Sequence, residues 1–244
     1  MGFLAEEDPR KIGRPAGRVI AGLFTPFPFL PPRRGMNIFS YRVRFTKTGK
    51  MRFLSHHDLM RLFERALRRT GLPLRMTEGY NPHPVLAFPT ALGLGIESLD
   101  EILEFELTSW TSPKQLEKLL GEQLPEGVSV ASAEAFDRKQ RCFVNYVEYE
   151  ASVAGQLEGI EERIRAFLAL KECPVERVSD KGSKTVEIRQ YVMALDAEKD
   201  MLFLRIRITD QGTAKPEEVL RSVGVKIDEG VRLKKTYTEL AVRS

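Results

Sequence analysis

Apolar and polar residues alternate along several stretches of the chain, and each such stretch predicts a β-strand. The first, FSYRVRF, has polar residues between the apolar positions Phe39, Tyr41, Val43 and Phe45. A strand with one buried face shows this period of two. The same pattern predicts strands over residues 101–110, 127–136, 143–153 and 231–240, and a hairpin over residues 185–209 that turns near residues 197–200. Extended segments are also expected at residues 72–76 and 84–90.

Apolar residues spaced three and four positions apart predict helices in the intervening segments. These helices are expected over residues 56–70, 112–124, 155–170 and 215–225. Ser112 is a typical N-cap, and Pro113 suits the first helical position, so the start of the second helix is well marked. Each half of the chain therefore reads as β-α-β-β-α-β, which is the ferredoxin-like order.

This order predicts an α+β protein with two ferredoxin-like (βαββαβ) domains, each an antiparallel sheet with two helices on one face. We expect the domains to span residues 36–138 and 141–244, with the boundary in DRKQR at residues 137–141. Residues 1–35 are rich in proline and lack periodicity, so they are expected to be a disordered leader or a mis-assigned start before Met36. Acidic residues at positions 6–8 argue against a signal peptide.

Charge is unevenly distributed, although the chain as a whole carries only +4. Residues 41–75 contain ten Lys/Arg and two acidic residues, a net charge of +8, whereas residues 76–140 contain four basic and eleven acidic residues, a net charge of −7. A basic cluster of this kind is typical of proteins that bind phosphate-bearing partners. The alternative is that the two stretches become neighbours in the fold and neutralise each other.

The first predicted helix carries a polar face beside its apolar stripe. Ser55 and Asp58 form a capping-box-like start, which explains both residues without a ligand. The remaining polar face holds Arg61, Arg65 and Arg68, and Arg69 follows at the helix end. A solvated face in which Glu64 pairs with a neighbouring arginine is one explanation. Binding of RNA or a nucleotide is the other, because arginine binds phosphate with two hydrogen bonds and stacks on bases.

The segment TEGYNPHPVLAF places Tyr80, Asn81 and His83 in a loop stiffened by prolines. An exposed aromatic ring beside an amide and an imidazole suits stacking on a base and hydrogen bonding to its edge. In the alternative, the prolines only stiffen a connection and Tyr80 packs on the sheet.

All three histidines lie within residues 56–83, which raises the question of a metal or catalytic site. His56 and His57 are adjacent and point about 100° apart on a helix, so both cannot easily bind one ion, and no metal site is predicted. Acid–base chemistry by His56 with Asp58 remains an alternative, because a histidine can move a 2′-OH proton in RNA cleavage. Phosphate-binding glycine motifs are absent, and no cofactor is expected.

Residues 39 to about 230 resemble the DUF2344 family, also described as radical SAM-linked proteins. The motifs are F-x-K-x-G at residues 45–49, L-S-H-x-D-L-M-R-x-x-E-R-A-L-R-R at residues 54–69, G-x-N-P-H-P at residues 79–84 and L-x-L-G-x-x-S at residues 92–98. His57 departs from the family, which commonly has leucine there, and this shifts interest from His57 to His56, Asp58 and Arg61.

The resemblance implies a partner, a radical SAM protein of the cobalamin-binding type encoded nearby. The chain itself lacks the C-x-x-x-C-x-x-C cluster motif. Cys142 and Cys173 stand alone, as in proteins of a reducing compartment, and no apolar run is long enough for a membrane span, so a cytoplasmic location is expected.

Three hypotheses follow. The chain is an accessory protein that binds tRNA or rRNA, or presents it to the radical SAM enzyme, and is no enzyme on its own. Alternatively, it is an RNA-processing or RNA-modifying enzyme that uses His56 and Asp58, or a protein adaptor without RNA binding. The first hypothesis assigns RNA contacts to Arg61, Arg65, Arg68, Arg69, Tyr80, Asn81 and His83.

Overall fold

The computed structural model describes residues 37–137, 142–153, 155–179, 182–227 and 230–242. The expectations for residues 1–35 lie outside these ranges. Within them the chain forms four α-helices, namely α1 His56–Arg69, α2 Pro113–Gly121, α3 Ile160–Ala169 and α4 Pro216–Ser222. The strands are β1 Phe39–Lys47, β2 Leu86–Ala87, β3 Glu97–Leu107, β4 Val128–Phe136, β5 Cys142–Ser152, β6 Pro174–Ser179, β7 Gly182–Glu187, β8 Val192–Glu198, β9 Met201–Thr209, β10 Gly212–Thr213 and β11 Arg232–Val242.

Nine of the described strands form one mostly antiparallel sheet, whose central order is β10-β9-β5-β11-β3-β1-β4. The short strand β2 pairs with β3, and β8 pairs with β9. Strands from both halves of the sequence therefore lie in the same sheet. They meet where β11 runs parallel to β3, with Lys234 opposite Glu97 and Lys235 opposite Ser98. The prediction of a mixed protein with antiparallel pairing and four helices is confirmed at this level.

Each half buries the apolar positions of its strands beneath its own pair of helices. In the first half, Phe45 and Leu103 pack with Phe63 of α1 and Leu116 of α2. In the second half, residues of β5, β8 and β9 pack with α3 and α4. The alternation along FSYRVRF predicted this arrangement for β1, since Tyr41, Val43 and Phe45 are fully buried.

Helix α1 begins after the predicted N-cap Ser55 and covers the segment whose apolar spacing predicted a helix. The amide of Asp58 donates to Ser55 Oγ at 3.2 Å, which satisfies one of the free N–H groups at the helix start. The Asp58 carboxylate accepts from the Ser55 hydroxyl rather than from the Ser55 amide that the capping box predicts. Gly71, with φ of 71°, follows the helix end, where a left-handed residue is common.

The predicted hairpin over residues 185–209 is partly wrong. The turn between β8 and β9 falls at residues 199–200, as expected, but residues 185–187 belong to β7 and residues 189–191 to a short 3-10 helix. Strand β7 pairs with β6 in a separate two-stranded sheet that was not predicted. Its residues are largely exposed, so the sequence carries no alternation of buried and polar positions there. No helix in the described part of the chain is long and apolar enough to cross a membrane.

Candidate nucleic-acid interface

Several arginines of the sheet and its loops form ion pairs with carboxylates of the protein itself. Arg42 lies 2.7 Å from Glu104 and 2.9 Å from Glu134. Arg44 Nη1 lies 2.5 Å from Asp100 Oδ2. The other pairs of this kind are Arg52 with Glu97 and Arg75 with Glu106. For these arginines, the basic and acidic stretches of the sequence neutralise each other.

The pKa of Arg42 shows how these ion pairs act. Burial lowers the pKa of this guanidinium, but its hydrogen bonds to Glu104 and Glu134, together with the negative charge of Glu104 and a contact with Cys142, raise it by more, so the net direction is upward. Arg42 therefore stays charged inside the sheet, and its charge is not available to a ligand.

Arginines of α1 lack such partners. Arg65 Nε donates to the Arg61 carbonyl oxygen at 3.2 Å, and Arg69 donates to the Gln123 carbonyl oxygen at 2.7 Å. Among the described residues, Arg65, Arg68 and Arg69 form no ion pair with a carboxylate. Arg61 lies 3.8 Å from Asp58 with 73% of its side chain exposed, so the pair is weak. The expected pairing of Glu64 with Arg61 or Arg68 is not formed.

Arg65 and Arg69 border an open depression of about 430 Å³ between α1 and the segment that follows α2. Gln123 also lines this depression, and its side-chain oxygen and main-chain carbonyl oxygen both accept hydrogen bonds from the Arg69 guanidinium, which holds Arg69 in place. The acidic residue Glu122 also lines this depression. The guanidinium groups of Arg65 and Arg69 have neutral hydrogen-bond partners that hold their position.

The proline loop closes on itself and projects its tip into solvent. The Thr77 amide donates to the His83 carbonyl oxygen at 2.7 Å, and the His83 amide donates to Thr77 Oγ1 at 3.0 Å. Tyr80 at the tip is fully exposed, and Asn81 and His83 are exposed as well. The alternative in which Tyr80 packs on the sheet is therefore wrong.

One hydrogen bond joins the loop to the helix. Arg68 Nη2 donates to the Pro82 carbonyl oxygen at 3.3 Å. The structure thus brings Arg68, in the last turn of α1, next to the Tyr80 loop. The predicted nucleic-acid-binding residues are Arg61, Arg65, Arg68, Arg69, Tyr80, Asn81 and His83, and this set is hereafter called the arginine face.

The proposed catalytic pair, His56 and Asp58, lies at the start of α1, close to Arg61 but far from the arginines of the last turn. His56 is half-buried, with its ring centroid 5.6 Å from that of Phe88 in an edge-to-face contact. Twelve residues separate His56 from Arg68, which corresponds to about 18 Å along a helix. Asp58 already serves the helix cap and the Arg61 pair. Among the described residues, no group of His, Cys, Asp or Glu is arranged to hold a metal ion.

Sequence reasoning missed Gln123 and Lys47. Gln123 lies 54 residues from Arg69, and a polar residue after a helix carries no signal of such a contact. The position of Lys47 does carry a signal in the sequence. Lys47 follows Phe45 by two positions in β1, so its side chain lies on the same, buried face of the strand, and the residue is only 1% exposed.

Comparison with known proteins places the chain in a family. A protein-family profile described as "uncharacterized protein conserved in bacteria (DUF2344)" matches residues 40–221, which is most of the chain, and the chain therefore belongs to this family. Among curated proteins none matches. A crystal structure of an unknown protein from Galdieria sulphuraria is 15% identical and covers 85% of this chain and 100% of its own, with a TM-score of 0.26.

Proposed function

We propose that the chain binds RNA through the arginine face and presents it to a partner, a radical SAM enzyme of the cobalamin-binding type, without being an enzyme on its own. One observation carries the RNA-binding proposal, namely the division of the basic cluster. Arginines in and beside the sheet are neutralised by carboxylates, whereas those of α1 remain exposed and without a strong carboxylate partner. We place this activity in the cytoplasm, since two free cysteines, Cys142 and Cys173, are typical of a reducing compartment.

The groups of the arginine face have complementary roles in this proposal. Arg65, Arg68 and Arg69 contact phosphates, because guanidinium groups donate two hydrogen bonds to a phosphate and supply the salt-dependent part of the affinity. Tyr80 stacks on a base that is not paired, as aromatic residues do in proteins that bind single-stranded RNA. Asn81 and His83 flank the ring and can bond to base edges.

The strand order also supports a finer description of the fold. Within the first half the order is β4-β1-β3-β2, and within the second it is β11-β5-β9-β8. Both halves thus have the same order of strands with respect to the sequence. We propose that each half is a ferredoxin-like unit and that the two share the sheet through β3 and β11.

The test is RNA binding by charge-reversed variants. Fluorescence anisotropy with a labelled single-stranded RNA is measured for the wild type and for Arg65→Glu, Arg68→Glu and Arg69→Glu over a range of salt concentrations. Each substitution is expected to weaken binding by about 1–3 kcal/mol and to make the salt dependence less steep. Tyr80→Ala is expected to weaken binding by about 1–3 kcal/mol with little change in the salt dependence.

A matched control lies on α3. Arg165 is an exposed helical arginine whose Nε donates to the Glu161 carbonyl oxygen at 3.4 Å, as Arg65 does to Arg61 on α1. Arg165→Glu changes the net charge equally but lies outside the arginine face. If all three reversals on α1 weaken binding no more than Arg165→Glu does, the proposal is wrong. Cleavage or modification of the RNA that His56→Ala abolishes would instead support the enzyme hypothesis.

A further inference from the structure

Four polar side chains lie in one row across the middle of the sheet. Lys47 on β1 is opposite Ser98 on β3, Ser98 is opposite Lys235 on β11, and Lys235 is opposite Tyr149 on β5. Residues directly opposite each other on neighbouring strands present their side chains on the same face of a sheet. The row therefore crosses the seam between the two halves, and we call it the seam row.

The seam row is buried and carries an excess of positive charge. Lys47 and Lys235 are each 1% exposed, and Ser98 is fully buried. Lys235 Nζ lies 2.6 Å from Glu101 Oε1, and Glu101 is also 1% exposed. The approach is close but not aligned as a hydrogen bond, since Glu101 Oε1 has no hydrogen-bond partner among the described residues. We therefore treat it as an ion pair only.

Lys47 has no carboxylate of its own. Its Nζ donates to the carbonyl oxygens of Arg52 at 3.5 Å and Leu54 at 3.4 Å, both long contacts, and it forms no ion pair within the described residues. Two ammonium groups thus face one carboxylate in a space from which water is largely excluded. An ammonium without a counter-ion is unfavourable there.

The pKa of Lys47 agrees with this geometry. Burial lowers the pKa of the ammonium, Glu101 raises it, and Lys235 lowers it further, so the net direction is downward. A negative charge supplied from outside would stabilise the protonated form and raise the pKa again.

Two hydroxyl groups of the row are available as further donors. Ser98 Oγ accepts from the Asp100 amide at 3.2 Å, which leaves its hydrogen free to donate. Burial, followed by Glu101 and Glu217, raises the pKa of Tyr149, so its hydroxyl keeps its proton. No hydrogen bond to this hydroxyl is formed among the described residues, and Tyr149 is only partly buried. Tyr149 is thus the member of the row that keeps some exposure to solvent.

We propose that the seam row is a binding site for one small oxyanion, a carboxylate or phosphate group, that lies between the ammonium groups of Lys47 and Lys235 and reaches them past Tyr149. Glu101 and Glu217 are the carboxylates near this site, and they favour a ligand of low charge over a highly charged one. The site is separate from the arginine face, because it lies within the sheet layer and not on the outer side of α1.

The test uses the full chain in a chloride buffer at constant ionic strength. Sodium acetate represents a carboxylate and sodium phosphate a phosphate group, and each is titrated while the melting temperature and the heat of binding are recorded. A saturable rise in the melting temperature is expected for the wild type with at least one of them, since a ligand that binds only the folded state stabilises it. The anion with the lower half-saturation concentration identifies the source.

The decisive variant is Lys47→Met, which keeps most of the length of the side chain and removes its charge. It is expected to lose the response to the anion, and to melt at or above the wild-type temperature without anion, because an uncompensated buried charge is removed. Tyr149→Phe, which deletes one donor, is expected to raise the half-saturation concentration about fivefold. Lys114→Met, an exposed lysine on α2, is the control and should respond as the wild type does.

Two results would overturn the proposal. The first is a wild type that responds to neither anion, in melting temperature or in heat of binding. The second is a Lys47→Met variant that melts well below the wild type without anion. This result would mean that Lys47 stabilises the fold through its hydrogen bonds to the carbonyl oxygens of Arg52 and Leu54. Calorimetry on the wild type keeps the test valid if a variant does not fold.

Discussion

Replacement of Arg42 by methionine tests whether the arginines of the sheet are structural. Arg42 is 5% exposed and lies at the centre of β1, where methionine keeps most of the aliphatic volume. Its guanidinium donates to Glu104 from Nε at 2.9 Å and from Nη2 at 2.7 Å, and to Glu134 from Nη1 at 2.9 Å. It also lies 4.4 Å from the centroid of the Phe136 ring. All of these contacts are lost in the variant.

The loss of unfolding free energy in this variant depends on how well water hydrates the carboxylates of Glu104 and Glu134 once the guanidinium is gone. A hydrogen bond to a charged group contributes about 1.5–3 kcal/mol. Glu104 and Glu134 keep 27% and 59% of their side-chain exposure, so water can replace part of what Arg42 supplied. We therefore expect the free energy of unfolding to fall by about 3 kcal/mol in total, at the low end of the cost of breaking a buried pair. For a protein of this size, that lowers the melting temperature by about 6–12 °C.

The assay is urea denaturation followed by circular dichroism, with thermal melting as a second measure. Arg65→Met is the control, because Arg65 is exposed and bonds only to a carbonyl oxygen of its own helix. It is expected to change the free energy of unfolding by less than about 0.5 kcal/mol. RNA binding should show the reverse order, weakened by Arg65→Met and unchanged in folded Arg42→Met. Equal stability of the two variants would refute the division of the basic cluster on which the proposed function rests.

Three further changes test the fold itself. Phe63→Ala removes a fully buried ring whose centroid lies 4.6 Å from that of Phe45. Urea denaturation should show a loss of about 3–5 kcal/mol in the free energy of unfolding, and a loss below about 1 kcal/mol would contradict this packing. Gly127→Ala, at φ of 88° with its new Cβ 2.8 Å from the Thr48 carbonyl oxygen, should lower the melting temperature, and an unchanged value would refute the close approach. Burial raises the pKa of Glu218, but the hydrogen bonds from Arg177 and the Lys215 amide, together with the positive charges of these two residues, outweigh it, so the pKa lies below its ordinary value of 4.5. Its stabilisation is complete above that value and is lost as the pH falls towards the folded-state pKa, so Glu218→Gln should show a shallower loss of urea midpoint below pH 4.5 than the wild type.

Periodicity and caps were sufficient to predict that the helices and the long strands exist, although α3 begins at Ile160 and not at residue 155, because its start has no side-chain cap. Ser112 and Pro113 marked the start of α2, and the Gln115 amide donates to Ser112 Oγ at 3.3 Å as the sequence suggests. These signals act between residues a few positions apart, so they can be read locally. The hairpin of β6 and β7 carries no such signal, because its strands are mostly exposed, and it is held in part by Arg177, whose Nε lies 2.7 Å from Glu218 on α4.

The candidate site was predictable only in part for the same reason. The sequence determined that arginines line one side of α1 and that prolines fix the display of Tyr80, since both depend on local spacing. Only the tertiary structure decided that Arg68 meets the loop at Pro82.

The sequence also placed ten basic residues together, but it did not distinguish those that are neutralised from those that are free. That distinction depends on partners far along the chain, such as Glu104 and Glu134, which are 62 and 92 residues from Arg42. Arg42 and Arg65 have the same side chain, yet one faces carboxylates on two neighbouring strands and the other faces solvent. Composition gives the charge of a segment, and strand pairing determines how much of that charge is left for a ligand.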